Sequence, residues 1–199
     1  MELQMACFCT STGEGGYVLG HADWLASLSI LLPLSYTQTD YGIGKTSISI
    51  ILPNGASLTV LSVEYRLAPE DPFPAGSEDC YDVAEYLVDN RLSQESGPLK
   101  FVGGESAGAL LSALTVLHPL ETRPAFSLVG VCMNFGLFDL SLLPSARTWT
   151  NPLIQETKGI EYFLDAYLPN LSADERRNPS ISPMYHPIFQ YISRLCACE

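Results

Sequence analysis

The sequence is poor in basic residues. It holds 10 lysines and arginines against 22 aspartates and glutamates, which gives a formal net charge of -12 over 199 residues. Such a charge repels the phosphates of nucleic acids and the anionic surfaces of membranes, and no basic stripe offsets it. The composition therefore argues against nucleic acid as a partner.

The sequence also lacks a hydrophobic run long enough to cross a bilayer. Its most apolar stretch, residues 24–34, is shorter than the roughly 20 residues that a spanning helix needs, and Pro33 interrupts it. The first residues do not show the basic segment followed by an apolar one that marks a secretory signal. We expect a protein without a membrane span, located in the cytoplasm.

Cysteines at metal-ligand spacing are absent as well. The six cysteines include no C-x-x-C pair; four form two C-x-C pairs near the chain ends and two are isolated (Cys7 with Cys9, Cys196 with Cys198, and Cys80 and Cys132). A C-x-C pair alone does not supply the usual spacing of zinc ligands. We therefore expect free thiols in a reducing compartment, no metal site and no cofactor.

What the sequence does contain is an alternation of apolar strands and helices. The patterns predict strands over 57–65, 97–104 (with its preceding turn) and 127–138, and helices over 77–91, 107–117 and 159–168. This order is typical of an α/β fold with a mostly parallel sheet and flanking helices. We expect a single domain over residues 1–199, in which Pro119 ends the second helix and Ser172 forms a capping box with Glu175.

One serine stands between glycines where a predicted strand meets a predicted helix. Residues 104–108 read G-x-S-x-G, the pattern of a nucleophile elbow, in which a sharp, strained turn exposes the serine. The helix N-terminus stabilises developing negative charge, and the N–H of Ala107 lies where one oxyanion donor is expected. The pattern predicts Ser106 as a catalytic nucleophile. The alternative is a Ser-Gly turn that only caps the helix.

A glycine-rich segment lies upstream, at residues 12–20. Glycines let backbone N–H groups approach a substrate oxygen closely, because no Cβ intervenes. In an acyl-transfer enzyme, Gly15 and Gly16 would complete the oxyanion hole. The alternative for this short segment is a flexible N-terminal turn.

Together these segments carry a family resemblance. In order, GEGGYVLG, VEYRLAPEDPFPAGSEDCYDVAEYLVDN and FVGGESAGALLSAL resemble the hormone-sensitive-lipase-like group of α/β-hydrolases, which includes carboxylesterases and lipases. The resemblance implies an α/β-hydrolase fold, hydrolysis of carboxylic esters by Ser106, and a small-molecule ester as the partner. It also implies a structural role for Asp139 rather than that of the triad acid.

The first half of the chain departs from the family pattern at two places. The glycine loop lacks the histidine that leads it in the family, because Thr12 or Gly13 stands there. Residues 25–56 have neither clean helical periodicity nor the expected polar helix, which predicts an irregular insertion. Two alternatives stay open for this stretch: a strand pair over part of it, because TSISIIL alternates, and a retained intron or imperfect gene model.

The second half departs from the triad order of this fold, which is Ser, then acid, then His. The histidines are His21, His118 and His186, and His118 lies about 18 Å along the helix that begins beside Ser106. We expect the triad acid and histidine to be absent, the last strands to be missing, and the domain to be truncated at its C-terminus. The prediction is a serine ester hydrolase by descent with impaired activity.

Two alternatives to an impaired hydrolase stay open at this point. One is a non-catalytic small-molecule-binding module of the same fold, and the other is a non-functional fragment. The sequence leaves the oligomeric state open.

Overall fold

The computed structural model describes residues 4–9, 40–43, 46–51, 58–89, 99–123, 126–142 and 157–189. In chain order these residues form the strands β1 (Gln4–Cys9), β2 (Asp40–Ile43), β3 (Thr46–Ile51) and β4 (Leu58–Glu64), the helix α1 (Ala75–Val88), β5 (Leu99–Glu105), α2 (Ala107–Thr122), β6 (Gly130–Asn134), α3 (Thr157–Tyr167), and two short 3₁₀ turns (Glu175–Arg177 and Pro183–Tyr185).

The six strands form one mixed sheet that is mostly parallel. Its order is β2-β3-β4-β1-β5-β6; the last four strands of this order run parallel, and β3 is antiparallel to both of its neighbours. Because parallel strands end at the same edge, the segments that follow β4, β1, β5 and β6 all leave the sheet at one edge. The predicted mostly parallel sheet with flanking helices is confirmed.

Helix α2 runs through Pro119, although we expected this proline to end it. Proline removes the N–H that would bond the carbonyl of Thr115, and the Thr115 hydroxyl is buried without a partner among the described residues. The helix still continues to Thr122, because Pro119 is buried and His118 is fixed to α1 by a 2.9 Å hydrogen bond to Glu85. Tertiary packing therefore overrides the local effect of the proline.

Other predicted elements occur with shifted ends. Helix α1 begins two residues before its predicted start, and the strand predicted over 127–138 is limited to Gly130–Asn134. The capping box is confirmed: the Ser172 backbone N–H donates to Glu175 Oε2 at 2.8 Å, and the Glu175 backbone N–H donates to Ser172 Oγ at 3.4 Å. The hydrogen bonds from Ser172 lower the pKa of the Glu175 carboxyl.

Helix α2 lies between two apolar clusters, because it is hydrophobic around most of its circumference. In the first cluster it packs with α1 and the strands (Leu61, Val63, Cys80, Val83, Leu87, Leu99, Val102, Leu111, Val116 and Leu117). In the second it packs with α3 and the loops near it (Leu110, Leu114, Leu140, Leu142, Leu164, Leu168 and Ile181). The helix that begins beside Ser106 is therefore held on two sides.

A buried ion pair ties the loop after β4 to α1. The Arg66 side chain donates from Nε and Nη2 to the Asp79 carboxylate at 2.9–3.1 Å, and the Arg66 backbone N–H donates to Asp79 Oδ2 at 2.8 Å. Asp79 is only 3% exposed, so its carboxylate depends on these donors. The YRLAPE segment is thus a fixed loop at the sheet edge where β4 ends.

The stretch 25–56 contributes two strands, β2 and β3, to the described residues. Strand β3 pairs with β4, so the alternating TSISII does form a strand. The rest of the stretch lies outside the described residues, and the insertion stays a prediction. None of the helices that the structure describes has the length and apolarity to cross a membrane.

We expect Leu61→Ala to lower the free energy of unfolding by about 2–5 kcal/mol, because it removes a side chain from the centre of the first cluster and leaves a cavity. Leu61 is 0% exposed, whereas Val129 is 64% exposed, so Val129→Ala is the control and should change the value by less than about 0.5 kcal/mol. Urea unfolding measures both. Equal losses would contradict the assignment of Leu61 to the core.

Candidate active site

Ser106 occupies a strained turn between β5 and α2. Its backbone angles are φ 55° and ψ -116°, a left-handed conformation that non-glycine residues rarely adopt. The strand ends at Glu105 and the helix starts at Ala107, so the direction of the chain reverses at the serine, and Ser106 is exposed. The expected strand-turn-helix context and strained serine are confirmed, and they match the geometry of a nucleophile elbow.

Hydrogen bonds hold the backbone of Ser106 through both its N–H group and its carbonyl group. Its N–H donates to the carbonyl of Asn134 at the end of β6 (3.0 Å), and its carbonyl accepts from the N–H groups of Ala109 (3.1 Å) and Leu110 (3.3 Å). The hydrogen bond to Asn134 holds the turn against the neighbouring strand. These contacts over-determine the turn and allow its strain to persist.

The N–H of Ala107 belongs to the first turn of α2, where N–H groups have no carbonyl partner within the helix. Ala107 is exposed and directly follows Ser106, and the helix N-terminus adds a positive partial charge at this position. The arrangement suits stabilisation of an oxyanion beside the serine. Its use as an oxyanion donor stays a prediction.

The two glycines expected to complete the oxyanion hole, Gly15 and Gly16, lie outside the described residues. Strand β1, which precedes them, ends at Cys9, and Cys9 pairs with Gly104 in the parallel β1–β5 ladder. The carboxyl end of β1 therefore lies at the same edge of the sheet as Ser106, one strand away. This topology is compatible with the predicted role of both glycines.

Glu105, the acidic residue that precedes Ser106, lies at the end of β5 and is half-buried. Burial raises the pKa of its carboxyl. We assign it no proton-transfer role.

His118 lies in the interface between α1 and α2. Its Nε2 lies 2.9 Å from Glu85 Oε1, and its ring stacks on Tyr81 with centroids 4.5 Å apart. It lies twelve residues along α2 from Ser106, about 18 Å at 1.5 Å per residue. The structure agrees with the expectation that His118 does not reach the serine.

His186 is held at the far end of the same helix. Its Nε2 lies 2.8 Å from Glu121 Oε1, and its Nδ1 accepts from the N–H of Ile188. Glu121 lies fifteen residues beyond Ser106, about 22 Å along α2. Neither histidine that the structure describes is therefore a neighbour of Ser106. His21 lies outside the described residues.

Asp139 holds a turn after β6. It is buried, its Oδ1 accepts from the N–H and the hydroxyl of Ser141 at 2.8 Å and 2.6 Å, and its Oδ2 accepts from the Tyr185 hydroxyl at 3.2 Å. These contacts connect the loop after β6 to the segment near Tyr185. They agree with the structural role that the resemblance implied.

Sequence reasoning missed the loop that follows β6. Gly136 packs so closely that an added Cβ would lie 2.7 Å from both the Ala109 Cβ and the Phe138 ring. Ala109 is in the first turn of α2, so this loop is docked against the elbow. The glycine after the predicted strand was the available signal, but only the fold shows that the loop meets α2.

Metal-binding geometry is absent from the part of the chain that the structure describes, which contains no group of three or more histidines, cysteines, aspartates and glutamates fit to hold an ion. A shallow depression of about 740 Å³ lies elsewhere, away from the elbow residues. Phe73 and residues that follow α3 line it with both apolar and charged side chains (Leu168, Pro169, Leu171, Asp174, Glu175, Arg177, Asn178, Pro179 and Ile181).

Comparison with known proteins connects this geometry to a family. A family model for the alpha/beta hydrolase fold matches residues 46–197. An arylesterase from Saccharolobus solfataricus is 37% identical over 147 residues, which cover 73% of this chain and 44% of that protein. A carboxylesterase from Mycobacterium tuberculosis is 33% identical over 123 residues, 61% of this chain and 38% of that protein.

A solved structure shows the same fold. An esterase from Pyrobaculum calidifontis superposes with a TM-score of 0.66 at 22% identity, covering 94% of this chain and 54% of that one. The chain thus spans about two fifths of the two curated relatives and about half of this structure.

We expect Gly136→Ala to destabilise the protein by about 1–3 kcal/mol, because the new methyl group overlaps Ala109 and the Phe138 ring. Gly130→Ala is the matched control, since its Cβ would meet only the Phe101 ring, at 3.3 Å. Thermal unfolding of both variants measures the difference. A Gly136→Ala protein as stable as Gly130→Ala would show that the loop does not pack on the elbow as described.

The ion pair between α1 and α2 should give stability a local pH dependence. The hydrogen bond from His118, with Arg123 nearby, holds the pKa of the Glu85 carboxyl below its usual range. The contribution is therefore present above the pKa of an unfolded glutamate, about 4.3, and is lost as pH falls through the lower folded value. Glu85→Gln should lower the free energy of unfolding by no more than about 1 kcal/mol near pH 6, and by less at pH 3.

Urea unfolding at stepped pH values measures this prediction. Glu161→Gln, which changes an exposed glutamate on α3, is the control and should show no such convergence. A difference between wild type and Glu85→Gln that grows on acidification would have the wrong sign and would contradict the assigned interaction.

Proposed function

The chain belongs to the α/β-hydrolase fold family, and from this membership and the geometry of Ser106 we propose that it is built to hydrolyse carboxylic esters with Ser106 as the nucleophile. The resemblance to the hormone-sensitive-lipase-like group is confirmed, and curated relatives carry the names carboxylesterase and arylesterase. The observation that carries the proposal is the exposed serine with φ 55° between β5 and α2.

The proposed reaction begins when the Ser106 Oγ attacks the ester carbonyl carbon and gives up its proton. The carbonyl oxygen becomes an oxyanion, which the N–H of Ala107 and those of Gly15 and Gly16 stabilise. Collapse of this intermediate expels the alcohol, which takes up a proton, and leaves an acyl group on Ser106. A water molecule then attacks the acyl group, releases the carboxylic acid and restores the serine.

Attack by Ser106 requires a base that accepts its proton, and neither of the described histidines lies near the serine. His118 and His186 are bound to carboxylates at distant points along α2, and Asp139 holds a turn. The proposal for the 199-residue chain is therefore impaired turnover, since loss of a triad member costs about 10⁴ to 10⁶ in rate. A cytoplasmic location, a small-molecule ester as the substrate and the absence of nucleic acid binding stay predictions from composition and resemblance.

We expect slow hydrolysis of a short-chain aryl ester that disappears in Ser106→Ala and persists in Ser127→Ala, which removes an exposed serine away from the elbow. In the presence of added imidazole, a serine-directed fluorophosphonate should label Ser106 in wild type and in Ser127→Ala. Added imidazole should raise the Ser106-dependent rate, because it can supply a base that neither described histidine provides at the serine; the imidazole reaction itself is subtracted with Ser106→Ala.

Two results would decide against parts of this proposal. Equal turnover in wild type and Ser106→Ala, with no labelling of Ser106, would reject the hydrolase and favour a non-catalytic binding module if ligands still bind saturably. Fast turnover that imidazole does not increase would reject the impairment, because it would show that a base is already in place.

A further inference from the structure

Phe135 follows β6 in a backbone conformation that is unusual for an aromatic residue. Its φ is 40°, in the left-handed region that favours glycine, and its side chain is 75% exposed. This is the highest exposure among the large hydrophobic residues described (the others are Val129, Tyr162, Phe163, Met184 and Tyr185). A positive φ at an aromatic residue costs energy, so it persists only where surrounding contacts impose it.

Both neighbours of Phe135 are fixed to the elbow. The carbonyl of Asn134, on its N-terminal side, accepts from the Ser106 N–H at 3.0 Å. Gly136, on its C-terminal side, packs against Ala109 with no room for a Cβ. The strained conformation of Phe135 is therefore imposed by contacts with the same turn that carries the serine.

The position of Phe135 relative to Ser106 follows from bond geometry. The Asn134 oxygen lies 3.0 Å from the Ser106 nitrogen, and the next Cα in a trans peptide lies within 3 Å of that oxygen, so the Phe135 Cα is about 6 Å or less from the Ser106 nitrogen. Both residues are exposed. A phenylalanine side chain at this distance is long enough to reach a substrate held at Ser106.

We propose that Phe135 is a specificity-determining residue that contacts the substrate at Ser106 and favours esters with an aromatic ring next to the ester group. An aromatic substrate ring can pack edge-to-face or offset-stacked on the Phe135 ring, which an alkyl group of similar size does not do. The contact would also cover an apolar side chain that is otherwise exposed. This proposal rests on the proposed function, because it takes Ser106 as the site where the ester binds.

The test measures binding rather than turnover, so that it does not depend on a catalytic base. N-phenylacetamide is an unreactive mimic of an aryl ester, and N-cyclohexylacetamide matches its size without the aromatic ring. We expect wild type to bind the phenyl compound more tightly. Phe135→Ala should weaken phenyl binding by roughly 3- to 10-fold, by the measured range for aromatic pairs, with a smaller effect on the cyclohexyl compound.

Three further variants make the result specific. Phe135→Leu keeps an apolar side chain and should lose most of the preference for phenyl over cyclohexyl. Phe163→Ala removes another exposed phenylalanine, on α3, and should bind both compounds as wild type does. Ser106→Ala should keep the phenyl preference, because it removes only the hydroxyl.

The proposal is overturned if wild type does not bind the phenyl compound, if Phe135→Ala binds it as wild type does, or if Phe135→Ala and Phe135→Leu weaken both compounds equally. If circular dichroism and thermal unfolding show that Phe135→Ala does not fold, Phe135→Leu alone decides the test. Failure of the proposed function has a different signature, the absence of labelling at Ser106. The two proposals can therefore fail separately.

Discussion

The hydrogen bond from the Ser106 N–H to the Asn134 carbonyl is the contact on which the arrangement at the sheet edge depends. It joins the end of β5 to the end of β6 at Ser106, a non-glycine residue with a positive φ of 55°. The left-handed turn at Ser106 sends the chain directly into α2, and the apolar packing of α2 on two sides fixes the direction of that helix. A strained turn persists only between elements that are themselves rigid.

A second fixed element supports the same edge. Strand β4 ends beside β1, and the loop after it is held by Arg66 and the buried carboxylate of Asp79. The multiple hydrogen bonds satisfy a carboxylate that would be costly to bury alone. The edge where Ser106 lies is therefore bounded by loops with defined conformations, which is what the proposed catalytic role requires.

The chain differs from the family pattern at the residues expected to act as the base beside Ser106. The two histidines in the described residues serve helix packing, since His118 joins α1 to α2 and His186 joins the end of α2 to the segment near Ile188. Each is paired with a carboxylate far from Ser106. Ser106 and the N–H of Ala107 are thus positioned by β5, β6 and α2, and neither of the histidines that the structure describes lies beside them.

The sequence by itself determined the features that depend on local patterns: the alternation that makes the parallel sheet, the elbow at Ser106 and the capping box of Ser172, because period, turn and cap chemistry act over a few residues. Only the tertiary structure decided that α2 passes through Pro119, that Asn134 anchors the serine, and that Phe135 is held at φ 40° beside it. These outcomes come from contacts between residues far apart in the chain, whose energies exceed the local preferences and leave no periodic signal in the sequence.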